Sequence, residues 1–453
     1  MGNGRAYGRT EHDMTGKKQL KERIRARMAA TGERYLTARR HVVTDQPAPT
    51  VDRGWTLRGG VHPESANLAN VLAHHRVRHD GAPLSEAMLF GIGGGLGAGY
   101  ILWEFAAHRT CWVTLGFRNR WQYQTWTPDT LARIGIPAEV HRTAGARGAA
   151  AALDAALDAG RPAIVLPDRQ LVGYWHLPAH HDGHGGHPVV AYARAGGGIR
   201  VDDRNLRPLT VDRADLDRAR ARVVSYKNLL IEARPAAGLE LDGATVRGAV
   251  VAGLADCAAH LSAPSTSFSL PAWRKWSRLM TDGRNAKGWP KVFADGAGLT
   301  GALLSIWEAV SPAGITGGNL RGLYATFLRE AAGLLDSPEL VEAAEAFDAA
   351  AGAWHEVAEA ALPASVPAFA RMRELTAELG GAVVADGDAG RDTAAAAAAG
   401  LAGLSREYAE VPPLDSAGIA DLFAATGRAL AEAYALEVAA VGKLAAAVAP
   451  PPR

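Results

Sequence analysis

Between His176 and His187 the chain places five of its 15 histidines, as His-Leu-Pro-Ala-His-His-Asp-Gly-His-Gly-Gly-His. Pro188-Val-Val-Ala-Tyr192 then reads as a short apolar strand, and Val201-Asp-Asp-Arg-Asn205 closes the next one. A histidine at the start of one strand and an acid at the end of its neighbour is the layout of a His/Asp pair. In such a pair the imidazole moves the proton, and the carboxylate fixes its tautomer and orientation. His187 is the candidate base, with Asp203 as the acid and Asp202 as the other choice. A nucleophile is missing, because Cys111 and Cys257 both lie outside this layout. The same cluster suggests a second chemistry. His180/His184 and His184/His187 have spacings that metal sites use, and an aspartate could complete the set. A metal-dependent enzyme with His180, His184 and His187 as ligands is therefore the alternative. Gly183, Gly185 and Gly186 weigh against it, since they make the segment a turn and not a helix displaying ligands at i, i+4.

Two polar loops are candidates for substrate recognition. Phe117-Arg-Asn-Arg-Trp-Gln-Tyr123 and Asp168-Arg-Gln-Leu-Val-Gly-Tyr-Trp175 each follow a strand, where α/β proteins place binding groups. Arg118, Trp121, Asp168, Arg169 and Tyr174 would recognise a polar ligand with acidic or phosphate groups; packing of each loop by its own aromatics is the plainer reading.

The positioning elements follow from patterning. Pro63 suits the first turn of a helix starting near His62, Glu64 complements the positive end of its dipole, and Leu68, Val71 and Leu72 form its buried face. A second helix begins at Pro83-Leu-Ser-Glu. Gly91-Ile-Gly-Gly-Gly-Leu-Gly then lets backbone pass close to a ligand or another strand. The loop lacks the strand–GxGxxG–helix context and the Lys-Ser/Thr of a phosphate loop, so a tight structural turn is favoured over nucleotide binding. Strands are expected at Cys111–Phe117, Ala163–Pro167, Pro188–Ala193 and Ile199–Val201, with helices at 127–134, 147–159 and 212–222. After about residue 240 the pattern is helical. Amphipathic segments at Ala255–Ser262, Leu270–Met280, Thr300–Ala309, Leu320–Leu335, Pro338–Ala360 and Val366–Leu379 precede a Gly/Ala/Asp-rich break at Gly380–Asp392. Helices at 392–409 and 415–448 follow. Trp273, Trp276, Trp289 and Trp307 are expected as core anchors. The Ala-rich last helix permits close helix–helix approach and a homodimer.

Composition sets outer limits. A chain of 453 residues is too long for one core and predicts two or three domains. No apolar run reaches about 18 residues, so no membrane-spanning helix is expected. Two cysteines make no disulfide framework, which points to a reducing cytoplasm. The net charge of +2 predicts no partner, but residues 17–40 hold nine Lys/Arg against two acids, a local net of +7. Leu20, Ile24 and Met28 give this segment a narrow apolar stripe on a basic helix. It would dock on the main body or bind an anionic partner, an acidic carrier protein or nucleic acid. Residues 1–13 read as a disordered leader, with Met14 as an alternative start.

The run from Gly60 through Pro83-Leu-Ser-Glu-Ala-Met-Leu-Phe-Gly-Ile-Gly-Gly-Gly-Leu-Gly, with Gly186-His-Pro-Val-Val, Val201-Asp-Asp-Arg and Tyr226-Lys-Asn-Leu-Leu, resembles the N-terminal domain family of butirosin biosynthesis protein H. Leu270-Pro-Ala-Trp-Arg-Lys-Trp and Leu320-Arg-Gly-Leu-Tyr-Ala-Thr-Phe-Leu-Arg-Glu resemble the helical domain of unknown function that usually follows it. The resemblance spans roughly residues 55–360. It implies an α+β, papain-like fold over 51–238 and a helical domain over 239–450, with the basic helical extension over 1–50, read from charge and periodicity, ahead of them. It also implies an acyl or aminoacyl transferase of secondary-metabolite biosynthesis. Such an enzyme moves an acyl group from a carrier-protein thioester to the amine of a small molecule or peptide, without a cofactor. Carried over residue by residue, the family histidine falls on His187 and the acid on Asp203. The cysteine that should open the first helix falls on Pro63, which cannot be a nucleophile. Ser65, two residues on, is the substitute nucleophile, and His62 and Glu64 flank the position. Direct attack by an amine, with His187 as base, is the other route. A catalytically degenerate fold that only binds is the competing class.

Overall fold

A computed structural model describes residues 50–119 and 122–449. The basic segment 17–40 and Trp121 lie outside the described residues. A small hairpin opens the described chain, β1 (Thr50–Asp52) with β2 (Trp55–Leu57). Helices α1 (Pro63–His74) and α2 (Glu86–Ile92) follow. A second hairpin, β3 (Tyr100–Phe105) and β4 (Thr110–Leu115), projects from the end of the Gly-rich segment. The chain continues through α3 (Trp126–Arg133), β5 (Ala138–His141), α4 (Ala146–Asp158) and β6 (Ala163–Val165). Then come β7 (Val189–Ala195), β8 (Gly198–Asp202), β9 (Leu209–Asp212), α5 (Arg213–Arg222) and β10 (Leu230–Ala233). Six of these strands form one antiparallel sheet in the order β5-β10-β6-β7-β8-β9. Its centre is wholly apolar: Ala163, Ile164 and Val165 of β6, and Val189, Val190 and Ala191 of β7, are all buried. Burial on both faces is what a continuous apolar run, without alternation, encodes.

From residue 243 the described chain is helical. The helices are α6 (Gly243–Ser262), α7 (Pro271–Leu279), the short α8 (Trp289–Val292), α9 (Leu299–Val310), α10 (Arg321–Leu335), α11 (Pro338–Ala361), α12 (Pro367–Gly381), α13 (Arg391–Glu410) and α14 (Ser416–Val448). Their boundaries follow the apolar periodicity to within a few residues, except that α6 starts twelve residues before Ala255 and the one-turn α8 was not expected. Trp273, Trp276, Trp289 and Trp307 are all buried, as core anchors should be. The break expected at 380–392 is not open loop. It is a π-helical turn (Ala382–Asp386) followed by a 3₁₀ turn (Gly387–Gly390). The protein is thus α+β, with a sheet-bearing N-terminal region and a helical C-terminal region. Among the described residues no helix is long and apolar enough to cross a membrane.

From Val51 onward the chain forms one compact unit, and the Gly-rich segment shows how its two regions join. A Cβ on Gly91 would sit 2.2 Å from the Phe327 ring of α10, one on Gly95 2.4 Å from Tyr324, and one on Gly97 2.1 Å from the Arg118 carbonyl oxygen. Real Cβ contacts do not approach so closely, so these glycines exist to let backbone touch side chains and backbone. Their use is packing, as favoured over nucleotide binding. The joint is reinforced by Arg321 of α10, fully buried, whose Nη2 donates to the Gly97 carbonyl at 3.1 Å.

Candidate active site

His187 precedes β7, and Asp203 follows β8, its neighbour in the sheet. Their side chains meet: His187 Nε2 lies 2.6 Å from Asp203 Oδ2, and both residues are fully buried. Asp203 is held from several directions. Its Oδ2 also accepts from Tyr174 Oη at 3.0 Å and Trp175 Nε1 at 2.9 Å, and Arg204 contacts Oδ1 at 3.3 Å. Burial works to raise its pKa, but His187, Arg204 and the Trp175 hydrogen bond overcome this and hold it at about 2. His187 is shifted below its ordinary value, by burial first, with Arg169 and Arg204 adding to the effect and Asp203 opposing it. The pair therefore stands as carboxylate and neutral imidazole. A carboxylate only accepts, so the ring proton sits on Nε2 and the Nδ1 lone pair is free. Nδ1 is buried and has no hydrogen-bond partner.

Helix α1 packs on β7, the strand that His187 precedes. Asn67 of α1 donates to the Pro188 carbonyl at 2.8 Å, which ties the helix to the strand that carries His187. Pro63 occupies the first helical turn, where it has no amide to offer. His62, the N-cap residue, supplies no side-chain cap. Glu86 of α2 does this instead. Its carboxylate accepts from the amides of Val61 and His62, both at 2.8 Å, and from the Ser65 hydroxyl at 2.9 Å. The negative charge also complements the helix dipole. His62 is buried, and burial, Arg118, Arg204 and His187 all push its pKa well below the ordinary value. Glu64 is buried against Arg118, with Arg118 Nε 2.6 Å from Glu64 Oε2. Burial raises the Glu64 carboxyl to about 7, against the pull of Arg118. The Arg118 guanidinium lies 5.5 Å from the ring centroid of Tyr123 and 5.6 Å from that of Trp126.

Several sequence expectations change here. Asp202 does not reach His187. It accepts from Trp55 Nε1 at 2.9 Å and Asn70 Nδ2 at 3.2 Å, because successive residues at a strand end face opposite sides. Asp168 is fully buried and faces no ligand space. Its carboxylate accepts from the amides of Gln170, Leu171 and Gly183 and so shapes its own loop. The Tyr174 hydroxyl is turned onto Asp203, which it helps to orient. Ser65 is fully buried and donates to Glu86; its nearest histidine nitrogen is His62 Nδ1 at 3.4 Å, not His187. Both thiols are pushed up to about 11, chiefly by burial, so neither cysteine is a ready thiolate.

The metal alternative also fails to assemble. Among the described residues, three or more ligand atoms converge only at Glu139, His141 and Glu232, and Arg161 and Arg234 already pair with those acids. His180, His181 and His184 instead pack on the β3–β4 hairpin. The Trp112 and His181 centroids are 4.3 Å apart, and those of Phe105 and His184 5.0 Å. Arg169 is half-buried beside the pair, and its Nε has no hydrogen-bond partner. Three contributors were not singled out from sequence: Trp175, Glu86 and Asn205, whose Oδ1 accepts from the Asp203 amide at 2.7 Å. For Trp175 its place beside Tyr174 was the available signal; Glu86 is set 24 residues from the amide of His62 and left none.

The arrangement is an α+β domain with a buried His–Asp acid–base pair at the ends of neighbouring strands, followed by a helical region. Residues 62–204 match the family model described as butirosin biosynthesis protein H, N-terminal. Residues 216–384 match that of a domain of unknown function (DUF4872). The chain thus carries the butirosin biosynthesis protein H N-terminal family domain followed by this second family's domain. The second match runs past the residue 360 expected from sequence. No curated protein matches the chain.

Proposed function

We propose that this protein is an acyl or aminoacyl transferase of secondary-metabolite biosynthesis, papain-like over residues 51–238, which forms an amide by direct transfer. The observation that carries this reading is the His187–Asp203 contact together with the buried, unpartnered Nδ1. The N-terminal family match supports the biosynthetic setting. In the proposed step an amine nitrogen attacks the carbonyl carbon of a carrier-bound thioester, and the carbonyl oxygen becomes an oxyanion. His187 Nδ1 takes the proton that the nitrogen loses. The leading amides of α1, at Glu64 and Ser65, have no acceptor within the helix and suit the oxyanion. The tetrahedral species then expels the thiolate, which takes the proton back from the imidazolium. Asp203 keeps Nε2 protonated throughout and offsets the transient charge. No bond to residue 63 is needed, which accommodates Pro63.

His187 is fully buried, so substrates reach it only when a covering segment moves. The histidine-bearing segment 176–186, packed on the β3–β4 hairpin, is the adjacent candidate. The test is to incubate the full chain with an acyl-pantetheine thioester and a panel of primary amines. Mass spectrometry of small molecules and intact protein should find an amide product and no protein adduct. An adduct lost in Ser65→Ala would replace direct with covalent transfer. Thioester binding without turnover for every amine would support the competing reading, a fold that binds only, which Pro63 favours.

A further inference from the structure

The turn that carries Asp203 is gripped by the helical region. Arg200 and Thr210 are paired in the β8–β9 register, two residues before Asp202 and at the start of the return strand. Asp388, in the 3₁₀ turn between α12 and α13, spans that pair. Its Oδ2 accepts from Arg200 Nη1 and Thr210 Oγ1, both at 2.6 Å, and its Oδ1 accepts from the Thr210 amide at 2.9 Å. Arg391, one turn on, donates to Asp388 Oδ1 at 2.7 Å and to the Thr210 carbonyl. Backbone joins backbone on either side of Arg207: the Leu206 amide donates to the Val384 carbonyl at 2.7 Å, and the Asp388 amide to the Pro208 carbonyl at 2.8 Å. Gly387 makes this approach possible. It has φ +57°, and a Cβ there would lie 2.4 Å from the Pro208 oxygen.

From this grip a short path leads to the acid. Asn205 Nδ2 donates to the Arg207 carbonyl at 2.6 Å, and Asn205 Oδ1 accepts from the Asp203 amide at 2.7 Å. Arg204 holds φ +64° between them, a left-handed conformation that surrounding contacts must impose on a non-glycine residue. The break in the helical pattern at 380–392 is therefore built as a clamp on one turn, the turn that aims Asp203 at His187.

We propose that Asp388 is a positioning residue that fixes the Asp203 carboxylate on His187 through the 203–208 turn. The proposal rests on the reading of His187 as the base, but its test does not. A short Nε2–H···carboxylate hydrogen bond gives a far-downfield imidazole proton in NMR, identified here by its loss in His187→Ala. Asp388→Ala should abolish or broaden that signal in folded protein and lower kcat by roughly 10–100-fold, with KM little changed. Asp388→Asn, whose amide oxygen still accepts from the Thr210 amide but whose NH₂ faces the Arg200 guanidinium, should fall between wild type and Asp388→Ala on both readouts. If Asp388→Ala does not fold, Thr210→Ala removes one hydroxyl donor and is read in the same way. An unchanged downfield proton in a folded variant overturns the clamp, whatever the activity. Loss of the signal with full activity upholds the clamp and overturns the catalytic reading of the pair.

Discussion

His187–Asp203 in the sheet-bearing region and Arg321–Glu437 in the helical one are both fully buried acid–base pairs at the same separation of 2.6 Å. Their surroundings differ. Arg321 uses every donor group: Nε to Glu437, Nη1 to the Asn319 carbonyl and Nη2 to the Gly97 carbonyl. Its guanidinium also lies 4.8 Å from the Phe117 ring centroid and 5.7 Å from that of Trp354. That cation binds α10, α14 and the Gly-rich segment together and offers nothing to a ligand. His187 has one nitrogen bonded and the other left open. Glu437 Oε2, like His187 Nδ1, is buried without a partner, so the difference lies in proton chemistry: a guanidinium does not give up its proton, whereas a neutral imidazole can take one.

Breaking the Arg321–Glu437 pair should cost the most stability. Arg321→Ala strands Glu437 in the core and is expected to lose ~3–5 kcal/mol in urea unfolding. A loss below about 1 kcal/mol would show that this pair is not architectural. His187→Ala should do the reverse, lowering transfer by about 10²–10⁴-fold at a smaller cost in stability, because Tyr174, Trp175 and Arg204 still hold Asp203. Full activity in that variant would remove the base.

Glu64 gives a pH signature of intermediate size. Its folded pKa of about 7 lies above the ordinary carboxylate value, so folding favours the protonated form. Its contribution to stability is complete below the unfolded pKa and is lost as pH rises through about 7, on the order of 3 kcal/mol in all. Urea midpoints at pH 5 and pH 8 should therefore differ less in Glu64→Gln than in wild type; an equal difference would mean that Glu64 is ionised in both states. Last, Ser65→Ala removes a hydroxyl that donates to Glu86. About 1 kcal/mol of stability should go, while direct transfer continues; abolished turnover at unchanged stability would restore Ser65 as nucleophile.

Much of this was legible in the chain. The apolar runs at 163–167 and 188–193 and the periodicity after residue 240 located strands and helices, because burial of one face or both leaves a period in the sequence. Strands β5, β9 and β10 were not legible: four residues each carry too little pattern, and pairing partners distant in sequence supply their stability. Residue types and order alone placed a histidine and an acid at facing strand ends, while only the family resemblance marked Pro63 as the position of a nucleophile. Which aspartate turns inward, that Tyr174 and Trp175 serve Asp203, that Asp168 serves its own loop, and that Glu86 caps α1 were decided only by the tertiary structure. Each is a contact made across the fold or through a loop's own geometry, and hydrogen bonds to buried groups leave no periodic trace in a sequence. The clamp at Asp388 is the extreme case: 178 residues separate it from Thr210, and only the folded chain brings them together.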